Sequence, residues 1–152
     1  NNPTINENNI TSNQNTTTSS SGGGGSGSSS SSSSSGGGNI LISEITRNFS
    51  SSTIHFGEPL IVTLNIYLRN SETYYILEDQ IPNGFEILDS GTGNTSTPNY
   101  IKWIEYQNAQ STSYTYILNA TQVGNYTFTG DYFIEGFSSI SQVGGENITE
   151  IL

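Results

Sequence analysis

The chain has 152 residues, of which 31% are hydrophobic, well under the roughly 45–50% of an ordinary globular domain. Three basic residues (Arg47, Arg69, Lys102) stand against thirteen acidic ones, a net charge of −10. Nucleic acid and anionic membrane surfaces need the opposite balance, and a chain without Cys has no disulfide framework, thiolate nucleophile or Cys-ligated metal. No stretch approaches the ~18–20 apolar residues of a membrane span. An Asn at position 1 reads as the start of a mature chain after removal of a signal peptide.

In chain order, residues 1–18 form an Asn/Thr-rich polar arm whose only large apolar side chains are Ile5 and Ile10. Residues 19–38 contain only Ser and Gly, the composition of a linker with an end-to-end reach of roughly 25 Å as a random coil. Residues 39–152 hold nearly all the aliphatic and aromatic side chains and are expected to form one domain. Alternation predicts strands at Ile40–Phe49 and at Pro59–Leu68, where Leu60, Val62, Leu64, Ile66 and Leu68 share a face. A third strand runs over Tyr74–Gln80, breaks at Pro82-Asn83-Gly84 and continues through Phe85–Asp89. Tyr100–Tyr106 turns Ile101 and Trp103 inward, and Ser113–Ala120 aligns Tyr114, Tyr116 and Leu118. Tyr126–Glu135 and Asn147–Leu152 close the set. Seven to eight short strands at about ten-residue spacing predict an all-β, antiparallel Ig-like β-sandwich. Gly124-Asn125-Tyr126 fits a tyrosine corner, in which the hydroxyl pins the preceding loop.

Gly57-Glu58-Pro59 leading into Leu60–Tyr67 resembles the opening strands of the conserved-repeat Ig-like domains of prokaryotic surface proteins. Glu78-Asp79-Gln80-Ile81-Pro82-Asn83-Gly84-Phe85 is similar to that family's D-x-hydrophobic-P-x-G-hydrophobic signature. Trp103 and the strand Gln110–Tyr116 resemble its later Trp strand and the one after it. The resemblance covers residues 54–121 and extends to cell-adhesion-related domains of bacterial and archaeal envelopes. It implies a role in stalks, adhesins, surface layers or filaments, with no family-wide catalytic residues. The sequence departs from the pattern at Arg69-Asn70-Ser71, where the family has an Asn-x-Gly turn, and it is a single copy.

Sequons for N-glycosylation fall at Asn9, Asn15, Asn48, Asn94, Asn119, Asn125 and Asn147, so a secreted glycoprotein is expected. Catalysis finds little footing. His55 is the single histidine, with no nucleophile elbow or oriented base beside it. Glu78 and Asp79 are consecutive on a strand, so they point to opposite faces and read as solvated strand-end carboxylates. Asp89-Ser90-Gly91-Thr92-Gly93-Asn94 offers oxygen donors on a Gly-rich loop but lacks the spacing of a calcium hand, so no cofactor or metal is expected. Lys102 alternates with Ile101 and Trp103 and so faces water. Tyr67, Tyr74 or Tyr75, and Tyr100 are the tyrosines expected at the surface.

These features together predict a non-catalytic structural subunit of an extracellular filament, pilus-like fibre or surface layer, with itself as partner. Assembly through strand complementation would use the arm (Thr4, Ile5, Ile10) or the first strand (Ile40, Ile42) as donor. The alternative is a stalked adhesion or carbohydrate-binding module that meets cell-surface glycans through its tyrosines. A third reading is an accessory domain of a secreted hydrolase.

Overall fold

The computed structural model describes residues 42–152, and every regular element among them is a strand. In chain order these are β1 (Glu44–Phe49), β2 (Thr53–Ile54), β3 (Pro59–Tyr67), β4 (Tyr75–Gln80), β5 (Phe85–Asp89), β6 (Tyr100–Glu105), β7 (Thr112–Ala120), β8 (Gly124–Thr127), β9 (Thr129–Ile134), β10 (Ser141–Gln142), β11 (Gly144–Gly145) and β12 (Ile148–Ile151). A five-stranded sheet in the order β11-β1-β3-β7-β5 faces a four-stranded sheet in the order β10-β9-β4-β6. A small sheet, β2-β12-β8, closes one end. The Ig-like sandwich expected from alternation is the fold.

Alternation of period two makes each strand an amphipathic ribbon, and stacking two such sheets removes the apolar sides from water. Leu60, Val62, Leu64 and Ile66 on β3 are fully buried, as are Leu77 on β4, Ile101 on β6, Tyr116 and Leu118 on β7, and Ile134 on β9. Trp103 joins them, stacked on Tyr114 with ring centroids 5.2 Å apart. Leu68 lies just past the end of β3 and is only partly buried.

Three departures from the sequence reading exceed one residue. The first strand begins at Glu44. Phe85–Asp89 does not continue β4: the chain crosses between the sheets at Pro82-Asn83-Gly84, and β5 pairs with β7 in the five-stranded sheet. The crossing is a turn closed by Phe85 N–H donating to Pro82 O at 3.1 Å. Gly84 is required there because a Cβ would overlap the Tyr126 ring. That ring is the expected tyrosine corner, its hydroxyl 3.5 Å from Val123 O. The strand expected over Tyr126–Glu135 divides at Phe128, which is buried and donates its N–H to Asn147 O at 2.7 Å. β8 therefore pairs with β12, and β9 pairs with β4.

Registers also fix the poles. Glu44 at the start of β1 pairs with Tyr67 at the end of β3. Leu152 lies at the opposite pole, bonded to Ile54 and Phe56 beside the turn that opens β3. At the first pole Arg69-Asn70-Ser71 makes its turn without glycine, with Ser71 at φ 60°. Asn70 N–H donates to Glu72 Oε2 at 2.7 Å, and Ser43 Oγ–H donates to the other carboxylate oxygen. Burial pushes the Glu72 carboxyl up, but those donors outweigh it and hold the group below its ordinary value.

Candidate functional site

Two sets of residues break the inside-apolar, outside-polar rule: one spans the two sheets, and the other lies on the four-stranded sheet. The first is internal. Tyr75, Leu77 and Asp79 share the core face of β4, so the alternation that buries Leu77 also buries Asp79. Arg47 shares the core face of β1 with Ile45. Arg47 Nε donates to Asp79 Oδ2 at 3.2 Å, Nη2 pairs with Oδ1, and Tyr116 Oη–H donates to Oδ2 at 2.6 Å. Nη1 reaches Phe128 O at 3.5 Å and Glu146 O at 3.4 Å. Gly130 leaves the space: a Cβ there would stand 2.5 Å from Asp79 Oδ1 and 2.9 Å from Arg47 Nη2. Burial pushes the Asp79 carboxyl up, while the Arg47 charge and the Arg47 and Tyr116 hydrogen bonds pull it back. Burial and the Asp79 charge raise the Tyr116 hydroxyl well above its ordinary range. Arg47, Asp79 and Tyr116 are all 0% exposed, so the cluster ties the sheets together and offers a substrate no approach.

The second set is external. On the solvent face of the four-stranded sheet, Phe133 and Ile104 stand opposite Ile76 on either side. The β9–β10 register brings Ile140 beside Phe133. One apolar row thus crosses β6, β4 and β9 and reaches the residue ahead of β10, with Ile76, Ile104 and Ile140 exposed by 41%, 62% and 68%. Tyr74, stacked on Phe133, and Tyr106 extend it. The adjacent row is polar: Asp131, Glu78 and an ion-paired Lys102.

The solvent face of the five-stranded sheet differs. Its rows Thr46-Asn65-Ser113 and Asn48-Thr63-Thr115 are neutral. Ile61 and Ile117 form a shorter apolar row; on β5 the bulge sets Asp89 opposite Ile117, with exposed Leu88 just before it.

The candidates from sequence disperse over this frame. Asn48 is exposed on β1 and Asn119 half-buried on β7, both on the five-stranded face. Asn94, Asn125 and Asn147 are exposed elsewhere, and Asn94 Oδ1 accepts from Ser96 N–H at 2.8 Å. Asn9, Asn15, Thr4, Ile5, Ile10 and Ile40 lie outside the described residues. Ile42 is exposed just ahead of β1, which is paired within its own head to β3 and β11. His55 is exposed, and its main-chain N–H donates to Glu58 at 2.9 Å. Glu78 is half-buried against Lys102, and the solvated reading of Asp79 is corrected: its neighbour in space is a buried cation. Of the tyrosine pair, Tyr75 is buried and Tyr74 partly exposed. Asp89 Oδ1 accepts from Gly91 N–H at 2.8 Å, a use within its own loop. No group of three or more His, Asp or Glu converges among the described residues, and no helix there is long and apolar enough to cross a membrane.

The fold is an Ig-like β-sandwich with two unlike outer faces. The family described as the BatD DUF11-like domain matches residues 47–131, from Arg47 on β1 to Asp131 on β9, and the chain belongs to that family. No curated protein matches it. Among solved structures it is similar to the C-terminal domain of the Streptococcus agalactiae AgI/II polypeptide BspA, with a TM-score of 0.54 and 11% identity, over 71% of this chain and 50% of that one. This chain therefore spans half the length of that structure. The C-terminal domain of the Streptococcus pyogenes antigen I/II-family protein AspA aligns with a TM-score of 0.45 and 11% identity, over 72% of this chain and 46% of that one. A type II cohesin domain from the Acetivibrio cellulolyticus cellulosome aligns with a TM-score of 0.45 and 10% identity, over 74% and 92%. At these identities the likeness is one of fold.

Proposed function

We propose that this chain is a non-catalytic structural subunit of an extracellular filament, pilus-like fibre or surface layer, polymerising through the two outer faces of its head. The observation that carries the reading is the pair of unlike apolar rows on opposite faces. The Ile140-Phe133-Ile76-Ile104 row of one copy has a counterpart in the Ile61-Ile117 row of the next. Sheets stack about 10 Å apart, and a contact between unlike faces generates an open polymer unless its rotation closes a ring. The rows beside the apolar ones are unlike as well: Asp131-Glu78-Lys102 carries charges of both signs, whereas Thr46-Asn65-Ser113 and Asn48-Thr63-Thr115 carry none.

Electron microscopy and light scattering of the secreted protein test the reading. Regular fibres or sheets are expected, growing with ionic strength as the −10 charge is screened. A monodisperse monomer at all salt concentrations would contradict it. Deleting residues 1–38 separates the head from the arm: assembly that survives belongs to the faces. Sequon use follows the same logic. Asn48 and Asn119 flank the Ile61–Ile117 row, so glycopeptide mass spectrometry of assembled material should find both bare, with sugars confined to other sequons.

One observation favours a second reading, a stalked carbohydrate-binding module. A groove of about 350 Å³ is lined by Asn94, Thr97, Tyr100, Lys102 and Glu105. Trp103 also lines it, and its buried indole N–H has no acceptor among the described residues. A glycan array with hits lost on Tyr100→Ala would support this module.

A further inference from the structure

The first and last strands of the head run side by side in the same direction. β1 pairs parallel with β11, Thr46 to Gly144 and Arg47 to Gly145. β2 pairs parallel with β12, Thr53 to Glu150 and Ile54 to Ile151. Main-chain bonds link the two runs along their length. Glu146 N–H donates to Arg47 O, Glu150 N–H to Ser52 O, Leu152 N–H to Ile54 O and Phe56 N–H to Leu152 O, each at 2.9 Å. Phe49 N–H adds a bond to the Glu146 carboxylate at 2.5 Å.

The ends of these runs lie at opposite poles: Ile42 precedes β1 beside Tyr67, and Leu152 follows β12 beside Phe56. Tension between the two poles therefore pulls β1–β2 one way and β11–β12 the other, along their common axis. In that geometry the cross-bonds are loaded together and break together. Pulling across the end of an antiparallel pair instead opens the bonds one at a time.

A second element resists the same slide. Arg47 sits at the centre of the β1–β11 contact with its guanidinium in the core, paired to Asp79 on β4 and reaching Glu146 O. Moving β1 along its axis must drag a fully buried charge off its partner, a step that leaves both charges uncompensated in an apolar interior. Gly145, at φ 81°, lets β11 approach: a Cβ there would overlap Arg47 O.

We infer that the parallel β1–β2/β11–β12 seam, locked by Arg47 and Asp79, is a mechanical clamp that makes the head a load-bearing unit under tension between its poles. The clamp rests on topology and not on the mode of assembly.

The chain has no Cys, so pulling handles can be placed at will in the full-length protein. One variant carries Ile42→Cys and Leu152→Cys and loads the seam in shear. The other carries Val123→Cys and Leu152→Cys and peels β12 from β8, whose Gly124 pairs with Ile151. All three sites are exposed, by 64%, 52% and 62% for Ile42, Leu152 and Val123. Single-molecule force spectroscopy should give an unfolding force several-fold higher in the first geometry than in the second. Equal forces in the two geometries would overturn the clamp. In the Arg47→Met, Asp79→Leu, Tyr116→Phe background the force should fall in the first geometry and stay unchanged in the second. An unchanged force in the first would remove the ion pair from the device.

Discussion

The two sides of the four-stranded sheet depart from the ordinary polarity of a sandwich in opposite directions. Its inner side buries an ionised pair, Asp79 with Arg47, where aliphatic packing is the norm. Its outer side shows water a row of Ile140, Phe133, Ile76 and Ile104, where polar side chains are the norm. The difference lies in what each departure is tied to. The inner charges are satisfied at every point by partners from β1, β7 and the Phe128 and Glu146 carbonyls, so they act on the head itself. The outer row has nothing within the described residues covering it, and exposed apolar surface of this kind marks a place of contact.

The largest effect is expected on the inner side of the sheet. Arg47→Met leaves Asp79 buried without a cation and should cost about 3–5 kcal/mol, read as a fall in the denaturant midpoint. Replacing Arg47, Asp79 and Tyr116 together by Met, Leu and Phe should recover most of that loss, because no charge or hydroxyl is then orphaned. Next in size, Tyr116→Phe removes one bond to a charged acceptor and should cost about 1.5–3 kcal/mol in the same assay. On the outer side the pattern reverses. Ile76→Ser, at a half-exposed position, should change stability by only about 0.5 kcal/mol or less and yet abolish assembly by light scattering.

The smallest effect concerns acid. Glu72 titrates below its ordinary value of 4.5, so its contribution to stability is complete above that pH and is lost as pH falls through the lowered value. Asp79, raised by burial, works the other way: the folded state takes up its proton first, which favours folding as pH drops. Glu72→Gln should therefore lower the thermal midpoint slightly at neutral pH and flatten its decline below about pH 4.5, so that the two proteins converge in acid.

Much of the fold was readable because burial on two facing sheets imposes a strict period of two. Leu60, Val62, Leu64 and Ile66, or Ile101 and Trp103, declare their side without further context. The Pro82-Asn83-Gly84 motif was visible as a turn, but its role as a crossing between sheets was not. That role depends on Tyr126 lying over Gly84 from more than forty residues away. The same period placed Asp79 on the face of Leu77, and Arg47 on the face of Ile45. Joining the two facts required knowing that β1 and β4 face each other across the core, which no local pattern carries. The outer row escaped notice for a related reason. Ile76, Ile104 and Phe133 sit on three separate strands and Ile140 just ahead of a fourth, and they become one surface only through register. The sequons were legible as motifs, whereas the placing of Asn48 and Asn119 on the five-stranded face and of Asn94, Asn125 and Asn147 elsewhere is a property of the folded head.

The most direct test of the two-face account uses one variant for each face. Ile104→Arg places a charge in the four-stranded row and Ile61→Arg in the five-stranded row, both at exposed positions. Each protein alone should stay monomeric by light scattering. An equimolar mixture should form dimers and stop there, since each partner retains one intact face. Growth of either variant into polymers like those of the parent, or a mixture that remains monomeric, would contradict stacking through unlike faces.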